Sequence, residues 1–99
     1  MLQVLNLEGN QIKEISGLQS LKRLRVLNFS KNQLESLEGL KDLMNLQDLN
    51  LSGNNLQNYA KLTPLGNLIS LKILTLADNS LDADRIKDIF KSHPFQIYI

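Results

Sequence analysis

Apolar side chains recur along this chain in two periods, and the chain switches from one to the other several times. In LNLEGNQI (5–12), LNFSKNQL (27–34), LNLSGNNL (49–56) and LTLADNSL (74–81), Leu5 and Leu7, Leu27 and Phe29, Leu49 and Leu51, and Leu74 and Leu76 are each separated by one residue. Alternation of this kind is the mark of a half-buried strand. After each phrase's asparagine the spacing lengthens to three, as in Ile12, Ile15, Leu18 and Leu21, then Leu34, Leu37, Leu40 and Leu43. Three residues per turn belongs to a 3₁₀-helix or an extended polyproline-like path, not to an α-helix. The pattern predicts a unit that runs out as a strand and returns as a narrow, loosely helical segment. Stacked units give a parallel sheet on one face and return segments on the other.

The unit repeats at a nearly constant length. Asn10, Asn32, Asn54 and Asn79 are separated by 22, 22 and 25 residues, a period characteristic of solenoids. Aligned on these asparagines, LQVLNLEGNQI, LRVLNFSKNQL, LQDLNLSGNNL and LKILTLADNSL all follow L-x-x-L-x-L-x-x-N-x-L, with isoleucine closing the first. Over residues 2–81 the chain resembles the leucine-rich-repeat family, in its short 22-residue class of phosphatase-regulatory-subunit-like and internalin-like repeats. The resemblance implies an α/β solenoid with the parallel sheet on its concave face and 3₁₀ or short helical segments on its convex face.

One domain over 1–99 is expected, with repeats at about 2–23, 24–45, 46–70 and 71–81, a helix at about 83–92 and a strand at about 95–99. Thr63-Pro64 reads as a cap followed by proline at a first helical position, which predicts a short helix over about 64–69. Asp82 can cap the later helix, with Ala83, Ile86, Ile89 and Phe90 on one face. In FQIYI, Phe95, Ile97 and Ile99 fall on one side of a strand, while Gln96 and Tyr98 fall on the other, where Tyr98 extends one of the sheet's rows. The expected edge strands lack flanking caps, which points to an excerpt of a longer array or to end-to-end self-association.

The constant asparagines fall where each strand turns into its return segment. A buried backbone group left without a partner there costs about 1–3 kcal/mol, and one amide can serve several such groups. Asn10, Asn32, Asn54 and Asn79 are therefore read as a buried structural ladder, as the resemblance also implies. The other strand positions face outward and form the expected partner-binding surface: Val4, Val26, Asp48 and Ile73, then Asn6, Asn28, Asn50 and Thr75, then Glu8, Ser30, Ser52 and Ala77. Two rows flank them, Gln3, Arg25, Gln47 and Lys72 on one side and Gly9, Lys31, Gly53 and Asp78 on the other.

Composition narrows the function classes. Eleven basic residues face ten acidic ones, for a formal net charge of +1. Residues 1–45 carry six basic and five acidic residues and 46–99 five of each, so neither half has a field suited to nucleic acid or an acidic membrane. The basic cluster Lys22, Arg23 and Arg25 has no aromatics nearby on which bases could stack. No cysteine is present, which excludes disulfides and thiolate zinc sites and fits a reducing compartment. With no apolar run of spanning length and no signal-peptide pattern at the start, a cytoplasmic protein is expected.

Candidate chemistry changes the picture little. His93, the only histidine, lies in KSHPF with no nucleophile arranged around it. DNSLDAD offers Asp78, Ser80, Asp82 and Asp84 as oxygen ligands, but Ala83 stands where a calcium loop needs glycine and Ile89 where it needs glutamate. Asn28-Phe29-Ser30 and Asn50-Leu51-Ser52 match the glycosylation sequon, yet both fall on the strands. The expected function is a non-enzymatic module that binds a protein partner on the concave sheet face, with no cofactor, metal, nucleic acid or membrane involved. Its rivals are a structural segment of a larger repeat assembly and an arm that recruits substrates to an enzyme domain elsewhere.

Overall fold

The computed structural model describes residues 1–99. Strands β1 (Val4–Asn6), β2 (Val26–Asn28), β3 (Asp48–Asn50), β4 (Ile73–Thr75) and β5 (Gln96–Tyr98) form one five-stranded sheet in chain order. All neighbours are parallel, and Leu5, Leu27, Leu49, Leu74 and Ile97 lie side by side across it. The molecule is an α/β solenoid measuring 37 × 29 × 18 Å.

Short strands suffice because the ladder continues past them. Leu7 N–H donates to Asn28 O, Phe29 to Asn50 O, Leu51 to Thr75 O and Leu76 to Tyr98 O, at 2.7–2.9 Å. The next residues then turn sharply. Gly9, Lys31, Gly53 and Asp78 occupy the same position in successive repeats, and all have positive φ, at 74°, 58°, 68° and 55°. Two repeats place glycine there, where a side chain would be strained. The other two hold Lys31 and Asp78 in that strained conformation.

The return segments are built on the three-residue period. Leu21 N–H donates to Leu18 O and Leu24 to Leu21 O. The same step links Leu37, Leu40, Leu43 and Leu46, and again Leu65, Leu68 and Leu71. The leucine stripe and the i→i−3 bonds therefore share one geometry, in which side chains three apart eclipse and face the core. Glu38–Leu40 forms one full 3₁₀ turn there. The earlier parts of the first two return segments are extended and pair with each other, through Glu35 N–H to Lys13 O at 2.8 Å and Gln33 N–H to Ile12 O at 3.0 Å.

The third return segment departs from the expected helix over about 64–69. It is a longer 3₁₀-helix, Tyr59–Asn67, with Pro64 inside it. Asn58, not Thr63, caps it, its side-chain oxygen accepting from Ala60 N–H at 3.0 Å. Thr63 instead donates its hydroxyl to Ala60 O at 2.7 Å. The spacing of the core residues decides this: Leu62 and Leu65 are fully buried and Leu68 nearly so, and only a three-residue turn keeps all three on one face.

Helix α1 (Ala83–Ile89) starts at its Asp82 cap, whose carboxylate accepts from Asp84 N–H at 2.8 Å and Arg85 N–H at 3.4 Å. It ends at Ile89, short of the expected 92, with Phe90 as its C-cap residue. The coming Pro94 disfavours helical backbone at His93. Ile86 and Phe90, four apart, are buried, whereas Ile89 is 41% exposed, which corrects its assignment to the buried face. Phe90, His93 and Phe95 cluster with ring centroids 5.4–5.5 Å apart and lead the chain into β5. Twenty apolar residues form one continuous core between sheet and return segments. No helix is long and apolar enough to cross a membrane.

Candidate protein-interaction face

The outward rows follow the strand register. Val4, Val26, Asp48, Ile73 and Gln96 are aligned, as are Asn6, Asn28, Asn50, Thr75 and Tyr98. Tyr98 thus continues the asparagine row and is 53% exposed, with its hydroxyl donating to Gln96 Oε1 at 2.9 Å. Val4 is 60% exposed and Ile73 36%, while Val26 and Asp48 between them are half-buried. No other layer packs on this face, although parallel sheets normally have both faces covered.

The asparagine row is only partly free. The side-chain oxygens of Asn6, Asn28 and Asn50 accept from the backbone N–H two residues on, at Glu8, Ser30 and Ser52, over 2.9–3.0 Å. These are Asx turns that bend the chain out of each strand. The oxygens belong to the frame, and the amide NH₂ groups of Asn6 and Asn50 remain for contact. Asn28 spends its NH₂ on Glu8 Oε1 at 3.2 Å, and Glu8 also lies 3.8 Å from Lys31 Nζ.

Ser30, expected to be a partner-facing residue, is buried at 4% exposure. Its N–H is held by Asn28, and its carbonyl accepts from both Gly9 N–H and Asn32 Nδ2. The turn has already folded inward at this position, so strand alternation no longer applies. Ser52 and Ala77, its counterparts, are half-buried, and Glu8 is exposed.

Beneath the turn, the repeated asparagines tie each repeat to the one before it. Asn32 accepts from Ile12 N–H at 3.1 Å and donates to Leu7 O, Phe29 O and Ser30 O. Asn54 does the same with Leu34 N–H, Phe29 O, Leu51 O and Ser52 O. Asn79 accepts from both Asn54 N–H and Leu56 N–H and donates to Leu51 O, Leu76 O and Ala77 O. Asn32 and Asn54 are buried and Asn79 is half-buried. Asn10 is exposed, contrary to its place in the expected buried ladder, and reaches only Leu7 O and Glu8 O. Each rung reaches toward the preceding repeat, and Asn10 belongs to the first.

A family model described as Leucine Rich repeats (2 copies) matches residues 1–42 and again 22–60. The chain belongs to the leucine-rich-repeat family. Twenty-four solved chains match its structure. One is the crystal structure of an internalin from Listeria monocytogenes, 18% identical with a TM-score of 0.51, a likeness of fold. The alignment covers 97% of this leucine-rich-repeat chain and 40% of the internalin, so the chain spans well under half of that protein's length. No curated protein matches it in sequence.

Two depressions lie outside the outward rows. Gln3, Arg23, Arg25, Asn45 and Gln47 line a wholly polar cavity of about 260 Å³ at the sheet's N-terminal rim. Tyr59, Leu62, Gly66, Ile89, Phe90 and His93 are among those lining a groove of about 340 Å³ between the 3₁₀-helix and α1. The flanking row of this leucine-rich-repeat chain supplies Gln3, Arg25 and Gln47 to the first, while Arg23 and Asn45 complete it from outside that row. Of the residues considered for metal, Asp82 is the cap of α1, and no group of three metal-ligating side chains occurs.

Proposed function

We propose that this leucine-rich-repeat domain is a non-enzymatic module that binds a protein partner on the concave face of its sheet. The observation that carries the reading is the uncovered face itself, whose contact positions are preset by backbone register. Val4, Ile73 and Tyr98 give it exposed apolar surface among Asn6, Asp48 and Thr75. Side chains already ordered on a rigid frame lose little entropy on docking. The cysteine-free composition is compatible with a reducing cytoplasmic setting.

A photo-cross-linking residue at position 73, compared with one at the exposed Ile69 on a return segment, tests the reading. The partner captured at 73 and not at 69 is purified and titrated against Asp48→Lys and Ile73→Glu. Both variants should keep the wild-type melting curve and weaken binding at least about tenfold, since interface anchors commonly contribute over 1 kcal/mol each. Unchanged binding moves the site off this face. A second reading, edge-to-edge self-association, has support in the exposed Leu2 and Val4 beside the unpaired edge of β1. Light scattering showing a monomer across the millimolar range refutes it.

A further inference from the structure

We infer that the polar cavity at the N-terminal rim of the sheet is a carboxylate-binding pocket for an acidic segment of the protein partner. The inference rests on the concave-face reading above and supplies the partner's chemistry.

The pocket is built by stacking. Arg25 N–H donates to Gln3 O and Gln47 N–H to Arg25 O, each at 2.8 Å, which carries the ladder one residue before the strands. Gln3, Arg25 and Gln47 therefore stand at the inter-strand spacing of about 4.8 Å. Arg23 and Asn45 come from the segments leading into β2 and β3, and Asn45 Nδ2 is anchored on Lys22 O at 2.6 Å. None of the five lining residues is apolar, so the pocket offers a ligand mainly polar groups.

Apart from Asn45, the pocket's side-chain donors are unspent. The molecule's two ion pairs are Glu8 with Lys31 and Asp88 with Lys91, so neither guanidinium in the pocket has a carboxylate partner. Among the side-chain hydrogen bonds, none comes from Arg23, Arg25, Gln3 or Gln47. Two neighbouring guanidiniums repel each other, and a neutral ligand leaves that repulsion in place. A carboxylate relieves it and accepts paired N–H bonds from the planar guanidinium fork. The Gln3 and Gln47 amides can donate to the same oxygens.

Several features favour a carboxylate over a nucleic-acid phosphate. No aromatic lines the pocket to stack a base. The chain's charge of +1 supplies no extended field for a polyanion. The exposed Lys72 continues the flanking row and gives a second acidic side chain a partner.

The test uses the whole 99-residue chain and a fluorescein-labelled hexaglutamate peptide, with hexaglutamine as the neutral match, read by anisotropy at about 50 mM salt, where screening is weak. Hexaglutamate should bind and hexaglutamine should not. Arg25→Gln should lower affinity about tenfold, and Arg23→Gln with Arg25→Gln should abolish it, as expected for lost charged hydrogen bonds. Lys91→Gln, which is not among the lining residues, should leave it unchanged. The Nε–Hε signals of both arginines should shift on titration. Equal binding of hexaglutamine, full binding by the double variant, or tighter binding of a single-stranded oligonucleotide overturns the pocket. Absent hexaglutamate binding alongside an intact effect of Ile73→Glu on the cross-linked partner refutes this pocket alone. Hexaglutamate binding with a partner indifferent to Ile73→Glu refutes the concave-face reading instead.

Discussion

Replacing Asn54 by alanine should destabilise the domain far more than replacing Asn10, although both occupy the same motif position. The Asn54 amide serves Leu34 N–H, Phe29 O, Leu51 O and Ser52 O. Three of these keep another donor after the change: Phe29 O has Asn32 Nδ2, Leu51 O has Asn79 Nδ2 and Ser52 O has Lys31 N–H. Leu34 N–H has Asn54 as its acceptor and becomes an orphan in a buried residue. An orphaned buried N–H costs about 2 kcal/mol and each lost second donor about 0.5 kcal/mol, for a total of about 3–4 kcal/mol. For a domain this small that lowers the melting temperature by on the order of 15–25 °C. Asn10 loses only its bonds to Leu7 O, which Asn32 still serves, and to Glu8 O at 3.5 Å. Its replacement should cost less than about 0.5 kcal/mol, as at other exposed sites. Calorimetry and urea unfolding of the two variants side by side measure the difference. Equal losses, or a loss under about 1 kcal/mol for Asn54→Ala, would refute the argument that the rung is made by the preceding repeat.

Gly39→Ala provides a test of sign. An alanine Cβ there would lie 2.7 Å from the carbonyl carbon of Ile15 and 2.8 Å from its Cβ. In a 3₁₀ turn the change might be thought to stabilise by reducing unfolded freedom, but overpacking should destabilise by about 1–3 kcal/mol. A raised urea midpoint would sink this reading. Lys31→Gly should do the reverse, because Lys31 holds φ at 58° where two other repeats have glycine. Removing a left-handed strain of about 1–2 kcal/mol against a glycine entropy cost of about 0.5–1 kcal/mol leaves a gain of up to about 1.5 kcal/mol. Measured in a Glu8→Gln background, which takes the exposed ion pair out of the comparison, a lower midpoint would contradict it.

Much of the fold was legible because the repeat is short and its pattern strict. Leu5, Leu27, Leu49 and Leu74 align in the sheet as their motif positions do, since identical turns place equivalent residues opposite one another. The three-residue leucine period likewise matched the hydrogen bonding of the return segments. In the third return segment Thr63-Pro64 carries a strong local start signal, and the spacing of Leu62, Leu65 and Leu68 overrides it. Ile89 was misplaced because helical spacing defines a face but not how far its neighbours wrap around it.

The candidate face was legible as rows and less so as roles. Asn6, Asn28 and Asn50 look outward by alternation, and only the coordinates show their oxygens closing Asx turns. Ser30 looks outward too, yet it is buried where the turn curls in. Arg23 and Asn45 are one 22-residue period apart and so stand together, but they lie before the alternating strand pattern, which gives no sign that they line a pocket.

The sequence by itself determined the length of the repeat, the alternation that makes one sheet face apolar, and the asparagine that recurs at each turn. These are properties of a single unit and of its period. The tertiary structure alone decided which copies of a repeated residue do the same work. Asn10 and Asn54 are chemically alike, but burial and hydrogen-bond partners come from neighbours about one repeat away, as in the bonds from Asn54 to Leu34 N–H and Phe29 O. Asn54 draws on such a neighbour, whereas Asn10 is exposed and bonds only within its own repeat.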